Sequence, residues 1–402
     1  MSDRKARILI ITSSYPPVVG GVQTVAHSVA LQLSTNGHEV RVVTNRYPVS
    51  LPPKENIDGV KVERLLLLSP AADQLRRKRP DLFFASFYFY PRSYWRLKRI
   101  LERFRPDVLN VHYPDHQIPF VLRLRRQFDF RLVVSLHGHD IEQTLNEPEA
   151  QVGIHAARPS ASVRRRLRAI LAAADAVTAC SSDLLNKAYQ VEPAIAGKSL
   201  VINNGIDPMR FHERESYCYP RPYVLAIGRL THKKGFDVLI DAFAKDQAQG
   251  WPDLIIAGDG EELDSLRAQV QRLGLSRNIR FFGEASNREV VKLLNGCLNV
   301  VVPSRREPFG IVALEGLAAG KPVLATRVGG LPELLEGADA LLVPPDDSSQ
   351  LALAIKAALQ RSKQEPAFGL RNRQIAARFS AERMIGGYLR AYQGEAAGDA
   401  HS

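Results

Sequence analysis

The chain has 402 residues, of which 45% are hydrophobic, so it is long enough for two domains with separate cores. Its three cysteines, Cys180, Cys218 and Cys297, form no C-x-x-C pair, which excludes a disulfide scaffold and fits a reducing compartment. No apolar stretch approaches about 18 residues, and the first residues run directly into a strand rather than into a signal-peptide apolar region. We therefore expect a cytoplasmic protein, soluble or held peripherally on the inner face of the membrane.

The net charge of +12 is concentrated in the first half of the chain. Residues 1–200 contain 29 lysines and arginines against 18 acidic residues, whereas residues 201–402 contain 25 against 24. A field of one sign on one half indicates a partner specific to that half. We expect a negatively charged surface or acceptor there, and no nucleic acid, because the sequence contains no single-strand recognition module.

Short apolar runs alternate with helical patterns along both halves, which predicts parallel sheets built from βαβ units. The first half has seven predicted strands: Arg7–Thr12, Val40–Thr44, Val60–Leu65, Val108–His112, Arg131–His137, Ala176–Ser181 and Ser199–Ile202. The second half has six: Tyr223–Gly228, Leu254–Gly258, Ile279–Gly283, Leu298–Val302, Pro322–Thr326 and Ala340–Val343. The polar turn from Asn203 to Pro208 separates the two sets and predicts domains at residues 1–203 and 204–380. Because ligands bind where the carboxyl ends of such strands converge, we expect two facing sheets with the substrate in the cleft between them.

A glycine pair, Gly20 and Gly21, follows the first predicted strand and precedes a helical stretch that ends near Gly37. Paired glycines let backbone amides approach a phosphate closely at the start of a helix. The alternative is a simple turn, and the pair is not a G-x-G-x-x-G dinucleotide fingerprint.

Two histidines, His137 and His139, lie in the segment Ser135-Leu136-His137-Gly138-His139-Asp140 after the fifth predicted strand. A histidine at the carboxyl end of a strand can hydrogen bond a substrate hydroxyl without carrying a permanent charge. The spacing alone leaves either histidine as the candidate, and either could instead be a solvated bystander.

A basic loop follows the first predicted strand of the second half. Arg229 and Lys234, at the opening of a predicted helix, suit two oxygens of a diphosphate. Lys233 would replace Lys234 only if the register shifted by one residue, and the alternative for all three is ordinary solvated surface. Gly258 and Gly260 form a turn after the next strand, which is a weak signal on its own.

The most informative segment runs from Glu307 to Glu315. Pro308 biases Glu307 out of the α region and predicts a helix start, so Glu315 would lie about two turns along that helix, roughly 12 Å away. The free amides at the positive end of the helix dipole predict an anion site with a carboxylate at each side. We take four residues as this site: Phe309, Gly310, Ile311 and Val312. A phosphate at the amides and a hydroxyl-rich group at each glutamate describe a nucleotide diphosphate sugar; the alternative is that the acids only complement the dipole.

At this point the chain resembles the retaining glycosyltransferases of family 4, also called glycosyl transferases group 1. The resemblance covers nearly the whole chain and implies the α/β GT-B fold, with two Rossmann-like, doubly wound parallel-sheet domains that face a central cleft. It implies that Glu307 reaches the donor sugar hydroxyls and that Glu315 reaches the ribose. It also implies that Arg229 and Lys234 are the positively charged side chains that contact the diphosphate.

The other motifs also match the family pattern. The H-G-x-D form favours His137 over His139, and the glycine loop and the Gly258-Asp259-Gly260 turn match glycine-rich segments beside the nucleotide. Family members commonly return their last helix to the first domain, and residues 381–402 are the candidate here. A plain terminal helix of the second domain is the alternative.

The resemblance implies transfer of a sugar from a nucleotide diphosphate sugar to a hydroxyl of a glycan or lipid-linked glycan acceptor, in cell-surface polysaccharide or glycolipid biosynthesis. The sequence has no D-x-D motif, metal-spaced cluster or Walker loop, so we expect no cofactor and no metal. No residue stands out as a nucleophile. The family implies retention by front-face attack, with a donor phosphate oxygen helping to deprotonate the acceptor. The alternatives are a sugar-nucleotide epimerase on the same fold and a non-catalytic partner subunit.

An aromatic and basic segment in the first half predicts contact with an anionic membrane that carries a lipid-linked acceptor. Its candidate residues are Arg76, Arg77, Lys78, Arg79, Phe83 and Phe84. Residues 74–90 show no helical periodicity in the sequence. The helix that follows has apolar residues at helical spacing, including Tyr94, Leu97 and Phe104. This spacing favours packing of the helix on the sheet, with its arginines on the solvent-exposed face.

Overall fold

The computed structural model describes residues 5–18, 20–68, 80–145, 161–211, 215–245, 251–364 and 368–394. The chain divides into two compact units. One unit comprises Met1–Asn203 with Met384–Ser402, and the other comprises Asn204–Arg383. Each unit contains one sheet whose strands are joined mainly by helices, which confirms the predicted pair of parallel-sheet α/β domains.

Eight strands form the sheet of the first unit: β1 Arg7–Thr12, β2 Glu39–Asn45, β3 Lys54–Ile57, β4 Val60–Leu65, β5 Val108–His112, β6 Arg131–Leu136, β7 Ala176–Ala179 and β8 Ser199–Val201. Six strands form the second sheet: β9 Tyr223–Ile227, β10 Asp253–Ala257, β11 Ile279–Gly283, β12 Val300–Val302, β13 Val323–Thr326 and β14 Ala340–Val343. The helices in the first half are α1 Gly21–Thr35, α2 Pro80–Phe104, α3 Ile118–Arg125, α4 His139–Glu142, α5 Ala161–Ala173 and α6 Ser182–Val191. The later helices are α7 Phe236–Lys245, α8 Leu263–Arg272, α9 Asn287–Gly296, α10 Ile311–Ala318, α11 Leu331–Leu334, α12 Ser348–Gln364, α13 Phe368–Ala376 and α14 Ala381–Gln393.

The first sheet has the strand order β3-β4-β2-β1-β5-β6-β7-β8, and its pairs are parallel except for β3 with β4. Strand β3 was not predicted, because three of its four residues are polar and exposed and so show no apolar alternation. The turn between β3 and β4 has positive φ at both Asp58 (50°) and Gly59 (85°). This backbone is that of a type I′ hairpin turn, for which Asp-Gly is a favoured sequence.

The second sheet has the order β11-β10-β9-β12-β13-β14, with parallel pairing throughout the described strands. Counted along the chain this is the 3-2-1-4-5-6 order of a Rossmann fold. The order reverses between β9 and β12, which pair through Leu225 and Val300. Loops that follow two such strands leave the sheet in opposite directions and open a crevice for ligands.

The core of the second unit shows why the predicted helix after β9 forms. Phe236, Leu239, Ile240 and Phe243 recur at i, i+3, i+4 and i+7, and all four are buried against the sheet core. This spacing gives α7 one apolar face. The helix is thereby fixed against the sheet, and so is the loop that leads into it from β9.

Helix α2 begins at Pro80, earlier than the sequence indicated. Residues 80–90 are therefore helical, although their sequence shows no helical periodicity and predicted no helix there. The inward face follows the prediction, because Tyr94, Leu97, Leu101 and Phe104 are buried. Phe83 and Phe84 lie in the first two turns of the helix, whereas Arg76, Arg77, Lys78 and Arg79 lie outside the described residues. None of the helices in the described ranges is both long and apolar enough to cross a membrane.

Most of helix α14 belongs to the first unit. Asn110 Nδ2 donates to the hydroxyl of Tyr392 at 2.8 Å, and Arg131 Nε donates to the carbonyl of Ala391 at 2.8 Å. Gly387 lies against Ile202, because a Cβ at this glycine would be 3.0 Å from the Ile202 side chain. The described part of the last helix is thus fastened to the first sheet by side-chain and backbone contacts.

Candidate functional site

The loops after β9 and β12 bring together two of the residues singled out in the sequence. Lys234 Nζ donates to Glu307 Oε2 at 2.5 Å. The two side chains are only 23% and 11% exposed, so this ion pair is largely shielded from water. Both loops leave paired strands at the point where the strand order reverses, which explains how residues so far apart in sequence meet.

Backbone contacts hold the two loops against each other. Gly235 has a φ of 66°, and a Cβ there would be 2.1 Å from the carbonyl oxygen of Pro303, so only glycine fits. The amides of Arg305 and Arg306 both donate to the carbonyl of Lys233, at 2.8 and 3.3 Å. The carbonyl of Lys233 therefore links the two loops, while the side chain of Lys234 reaches Glu307.

Arg305 reinforces this junction, although no sequence motif marks it. Its guanidinium pairs with both carboxylate oxygens of Asp237, at 2.8 and 2.7 Å, and donates to the carbonyl of His232 at 2.7 Å. Its Nε also donates to Asp346 at 2.6 Å. One largely buried arginine thus ties the loop of Glu307 to the helix that follows the loop of Lys234. Bidentate Arg–carboxylate pairs are among the stronger and more directional protein hydrogen bonds.

Helix α10 begins at Ile311 rather than at Pro308, which corrects the predicted helix start by three residues. Gly310 caps the helix in the left-handed region with φ 105°. A Cβ there would be 2.6 Å from Leu331 Cδ2, so this position favours glycine both for its conformation and for its space. No acidic residue lies in the first turn of α10, so no carboxylate there offsets the positive end of the helix dipole.

The two glutamates of the motif occupy different surroundings. Glu307 lies in the loop before α10, where its own carbonyl accepts from the amide of Gly330 at 3.0 Å. Glu315 lies within α10 and keeps only part of its surface exposed. Burial raises the pKa of Glu315 to about 7, and the positive charge of Arg210 opposes part of that rise. Glu315 therefore loses its proton only near neutral pH.

The glycines after β10 have a packing role. A Cβ at Gly258 would be 2.0 Å from the carbonyl oxygen of Gly228, and one at Gly260 would be 2.3 Å from the carbonyl oxygen of Leu230. These glycines let the turn lie directly against the loop that carries Arg229, whose side chain is exposed. Their contact with a nucleotide stays a prediction.

His137 and His139 differ in exposure and partners. His137 follows β6 and is half-buried; its Nε2 lies 3.0 Å from Nδ1 of His112, and burial lowers its pKa to about 4. Its backbone amide donates to the carboxylate of Asp140 at 3.0 Å. His139 is exposed at the first residue of α4, with its ring stacked on Tyr113. His137 is therefore the histidine built into the sheet edge.

The glycine loop after β1 is anchored by an arginine that no sequence motif marks. Arg64 is fully buried, and its Nη2 donates to the carbonyl of Pro16 at 2.6 Å. Helix α1 starts at Gly21 and is capped by Gly20, whose backbone is extended. The flexible end of the Gln23 side chain is the nearest group to a Cβ at Gly20, so packing alone does not require glycine there. The phosphate contact of this loop stays a prediction.

A cavity of about 550 Å³ lies in the first unit. It is lined by residues at the amino ends of three strands, including Arg7, Asp107 and Arg131. His137 lies at the carboxyl end of β6, which is the opposite edge of the same sheet. The cavity therefore does not include the candidate residues. Among the described residues no cluster of three or more histidine, cysteine or acidic side chains could hold a metal ion.

Comparison with known proteins gives a consistent result for both halves of the chain. Residues 19–210 match the model described as Glycosyltransferase Family 4, and residues 214–375 match the model described as Glycosyl transferases group 1. An uncharacterized glycosyltransferase of Methanocaldococcus jannaschii is 31% identical over 344 residues, covering 82% of this chain and 83% of the relative. The glycogen synthase of Mycobacterium tuberculosis is 29% identical over 376 residues, covering 88% and 86%.

A solved structure has the same fold. The crystal structure of HepE from Anabaena, in complex with UDP, superposes with a TM-score of 0.70 and 22% identity, covering 96% of this chain and 99% of that chain. Similarity at this level of identity bears on the fold, while the sequence relatives and the family models bear on descent. The chain therefore belongs to the glycosyltransferases of family 4, with the GT-B fold.

Proposed function

We propose that this glycosyltransferase moves a sugar, with retention of configuration, from a nucleotide diphosphate sugar to a hydroxyl of a glycan or lipid-linked glycan acceptor. The single observation that most supports this role is the shielded contact of Lys234 with Glu307 beside the start of α10. The cation and the helix N-terminus suit the diphosphate, one of whose oxygens is the leaving atom, and the carboxylate suits the sugar hydroxyls.

In the proposed donor complex, Lys234 and Arg229 contact the diphosphate, and the amides at the start of α10 contribute further donors. The departing nucleotide diphosphate gains negative charge as the glycosidic bond breaks, so preorganised donors at that position stabilise the transition state more than the ground state. Glu307 accepts hydrogen bonds from the sugar hydroxyls, while Lys234 keeps its carboxylate oriented. Because these groups belong to the protein, the proposed reaction requires no metal ion.

Glu315 is assigned to the ribose. A carboxyl group whose pKa is near 7 can accept or donate a hydrogen bond to a vicinal diol. UDP is the first nucleotide to test, because HepE was solved in complex with UDP. On the other unit, His137 is the candidate partner for a hydroxyl, and a donor phosphate oxygen acts as the base for the acceptor in the proposed front-face reaction.

The proposed acceptor is carried on an anionic membrane surface, in cell-surface polysaccharide or glycolipid biosynthesis. Helix α2 supports this part of the proposal. Its outer face carries exposed aromatic side chains at Phe84, Phe87, Tyr88 and Trp95. Arg92 stacks on Tyr88 at 3.4 Å from the ring centre, so a basic group lies directly beside the aromatic surface. Aromatic and basic residues together on one helix face suit a headgroup layer.

The test is a screen of nucleotide sugars for a rise in melting temperature, followed by product analysis with the donor that gives the largest shift. With an acceptor lipid extract present, the proposal expects nucleotide diphosphate and a glycosylated lipid in equal amounts, with the anomeric configuration of the donor retained. Conversion of the donor to an epimer without any acceptor would establish the epimerase alternative instead. No shift with any nucleotide sugar would favour a non-catalytic partner subunit.

A further inference from the structure

His112 and His137 form a close pair at the carboxyl ends of neighbouring strands. Nδ1 of His112 lies 3.0 Å from Nε2 of His137, and the rings are inclined by 28° with centroids 5.2 Å apart. Strands β5 and β6 pair with His112 opposite Ser135, so His137 lies just beyond that register. Burial lowers the pKa of both histidines, so both rings are neutral at physiological pH. At 3.0 Å the two nitrogens form a hydrogen bond when one proton lies between them.

The surroundings of His112 limit where its other proton can be. The ring is fully buried beneath Tyr388 of α14, with centroids 5.6 Å apart. Nε2 of His112 is buried and has no hydrogen-bond partner among the described residues. The polar groups beside it bond to one another instead: Ser135 donates to Asn110 at 2.9 Å, and Thr178 donates to Ser135 at 3.0 Å.

Only two proton arrangements keep both rings neutral and the pair bonded. In one, His112 donates from Nδ1, its Nε2 is a bare lone pair, and His137 carries its proton on Nδ1. In the other, His137 donates from Nε2, and His112 must then bury an N–H group with no acceptor. Orphaned buried N–H groups are rarer in proteins than under-satisfied acceptors, so the first arrangement is favoured.

Asp140 does not decide the tautomer of His137. Its carboxylate accepts from the backbone amides of His137, Gly138 and Ile141, at distances of 2.8 to 3.3 Å. These contacts hold the backbone of the loop, and the His137 ring hydrogen bonds His112 instead. Nδ1 of the half-buried His137 ring has no hydrogen-bond partner within the part of the chain that the structure describes.

We propose that His112 is a positioning residue that fixes His137 as the Nδ1-protonated tautomer, so that His137 presents an N–H donor to an oxygen of the sugar or the acceptor. The identity of that oxygen rests on the proposed function, whereas the tautomer does not. A donor at this place stabilises oxygen lone pairs and cannot accept the proton of the acceptor hydroxyl. It acts beside the phosphate base of the proposed reaction rather than in its place.

The wild-type protein provides the direct test. Full-length protein labelled with ¹⁵N at histidine is studied by long-range ¹H–¹⁵N correlation near pH 7.5, with His137→Gln used to assign the His137 signals. The expected spectrum shows a protonated Nδ1 and an unprotonated Nε2 for His137. A protonated Nε2 would overturn the proposal whether or not the enzyme transfers sugar. The expected tautomer in a protein without transferase activity would overturn the proposed function alone.

Two variants separate positioning from simple packing. The amide of His112→Asn lies near the former Nδ1 and can still donate to His137, so this variant should keep the tautomer. His112→Leu cannot donate, so His137 should show a mixture of tautomers, and kcat should fall by roughly 3- to 10-fold relative to His112→Asn, the effect of one hydrogen bond. Melting temperatures verify that both variants fold. An unchanged His137 tautomer in His112→Leu would contradict the positioning role, and if that variant does not fold, the wild-type and His112→Asn spectra still decide the matter.

Discussion

Lys234 Nζ and Glu307 Oε2 lie 2.5 Å apart, although 73 positions separate the two residues in the sequence. Removing one partner of a shielded pair leaves the other charge desolvated and uncompensated, which is more costly than losing an exposed pair. The charges of Lys234 and Glu307 therefore compensate each other. In the proposed donor complex, the ammonium of Lys234 has further N–H groups to donate to phosphate oxygens, and Glu307 accepts from the sugar hydroxyls.

The first prediction concerns the cations of the donor site. Lys234→Ala and Arg229→Ala should each lower transfer by roughly 100-fold or more, because each removes a donor to the leaving group. Lys245→Ala, which removes an exposed lysine at the end of α7, is the matched control and should leave the rate within about twofold. Steady-state kinetics with the donor found by the melting screen decide the matter. Near-normal transfer by both site variants would remove the diphosphate assignment.

The second prediction concerns Arg305. Lysine keeps the charge but cannot span both oxygens of Asp237 and the carbonyl of His232, so Arg305→Lys should loosen the junction that positions Lys234. We expect the KM for the donor to rise by about tenfold or more, with a smaller effect on the melting temperature. Arg288→Lys, at a surface ion pair with Glu215, is the control and should change neither. A donor KM equal to that of wild type would show that Arg305 has no part in the site.

The third prediction concerns the pH dependence contributed by Glu315. Burial raises its pKa to about 7, whereas in the unfolded chain a glutamate titrates near about 4.3. Between these values the unfolded chain releases the proton and the folded protein retains it. This group therefore makes the protein less stable as pH rises through that window. Glu315→Gln does not titrate, so its melting temperature relative to wild type should rise from pH 5 to pH 7.5.

The comparison with wild type at each pH removes the contribution of other groups, such as Asp140, whose pKa burial also raises to about 7. Differential scanning calorimetry at the two pH values measures the effect. Parallel pH profiles for variant and wild type would indicate that Glu315 titrates normally in the folded protein.

The fourth prediction concerns the basic half of the chain. If the surface around α2 docks on anionic lipid, flotation with acidic liposomes should weaken as salt rises, because screening acts over about 8 Å at physiological ionic strength. Changing Arg76, Arg77, Lys78 and Arg79 together to serine should abolish flotation while sparing transfer to a soluble acceptor analogue. Arg272 and Arg277 changed to serine, on the other unit, are the control and should float normally. Absence of flotation by the parent protein at low salt would leave a soluble, anionic acceptor as the better explanation.

Much of the fold follows from the sequence because most strands are apolar and short, and the two sheets are built from repeated βαβ units. The exception is β3, which is held by hydrogen bonding to β4 rather than by burial of apolar side chains. The Asp58-Gly59 turn was the available signal, since this dipeptide favours a hairpin. Residues 80–90 were also missed as helix, because exposed aromatics on the outer face of α2 obscure its periodicity.

The candidate site was only partly accessible from the sequence. Lys234 and Glu307 could be chosen one by one, but their contact depends on strand order, which one sequence does not display. Arg305 was indistinguishable from any loop arginine, because its partners Asp237 and Asp346 lie 68 and 41 residues away. The start of α10 was misplaced because Pro308 is a common first helical residue, whereas the left-handed Gly310 determines where the helix begins.

The fifth prediction separates the two glutamates of the motif and tests the donor site most directly. Calorimetric titration of the nucleotide sugar found by the melting screen, and of its free nucleotide diphosphate, into wild type, Glu307→Gln and Glu315→Gln gives six affinities. Because both ligands contain the ribose, Glu315→Gln should lower the affinity for both, whereas Glu307→Gln should lower the affinity for the nucleotide sugar and leave that for the bare nucleotide diphosphate unchanged. Equal losses for both variants with both ligands would contradict the assignment of Glu307 to the sugar and Glu315 to the ribose.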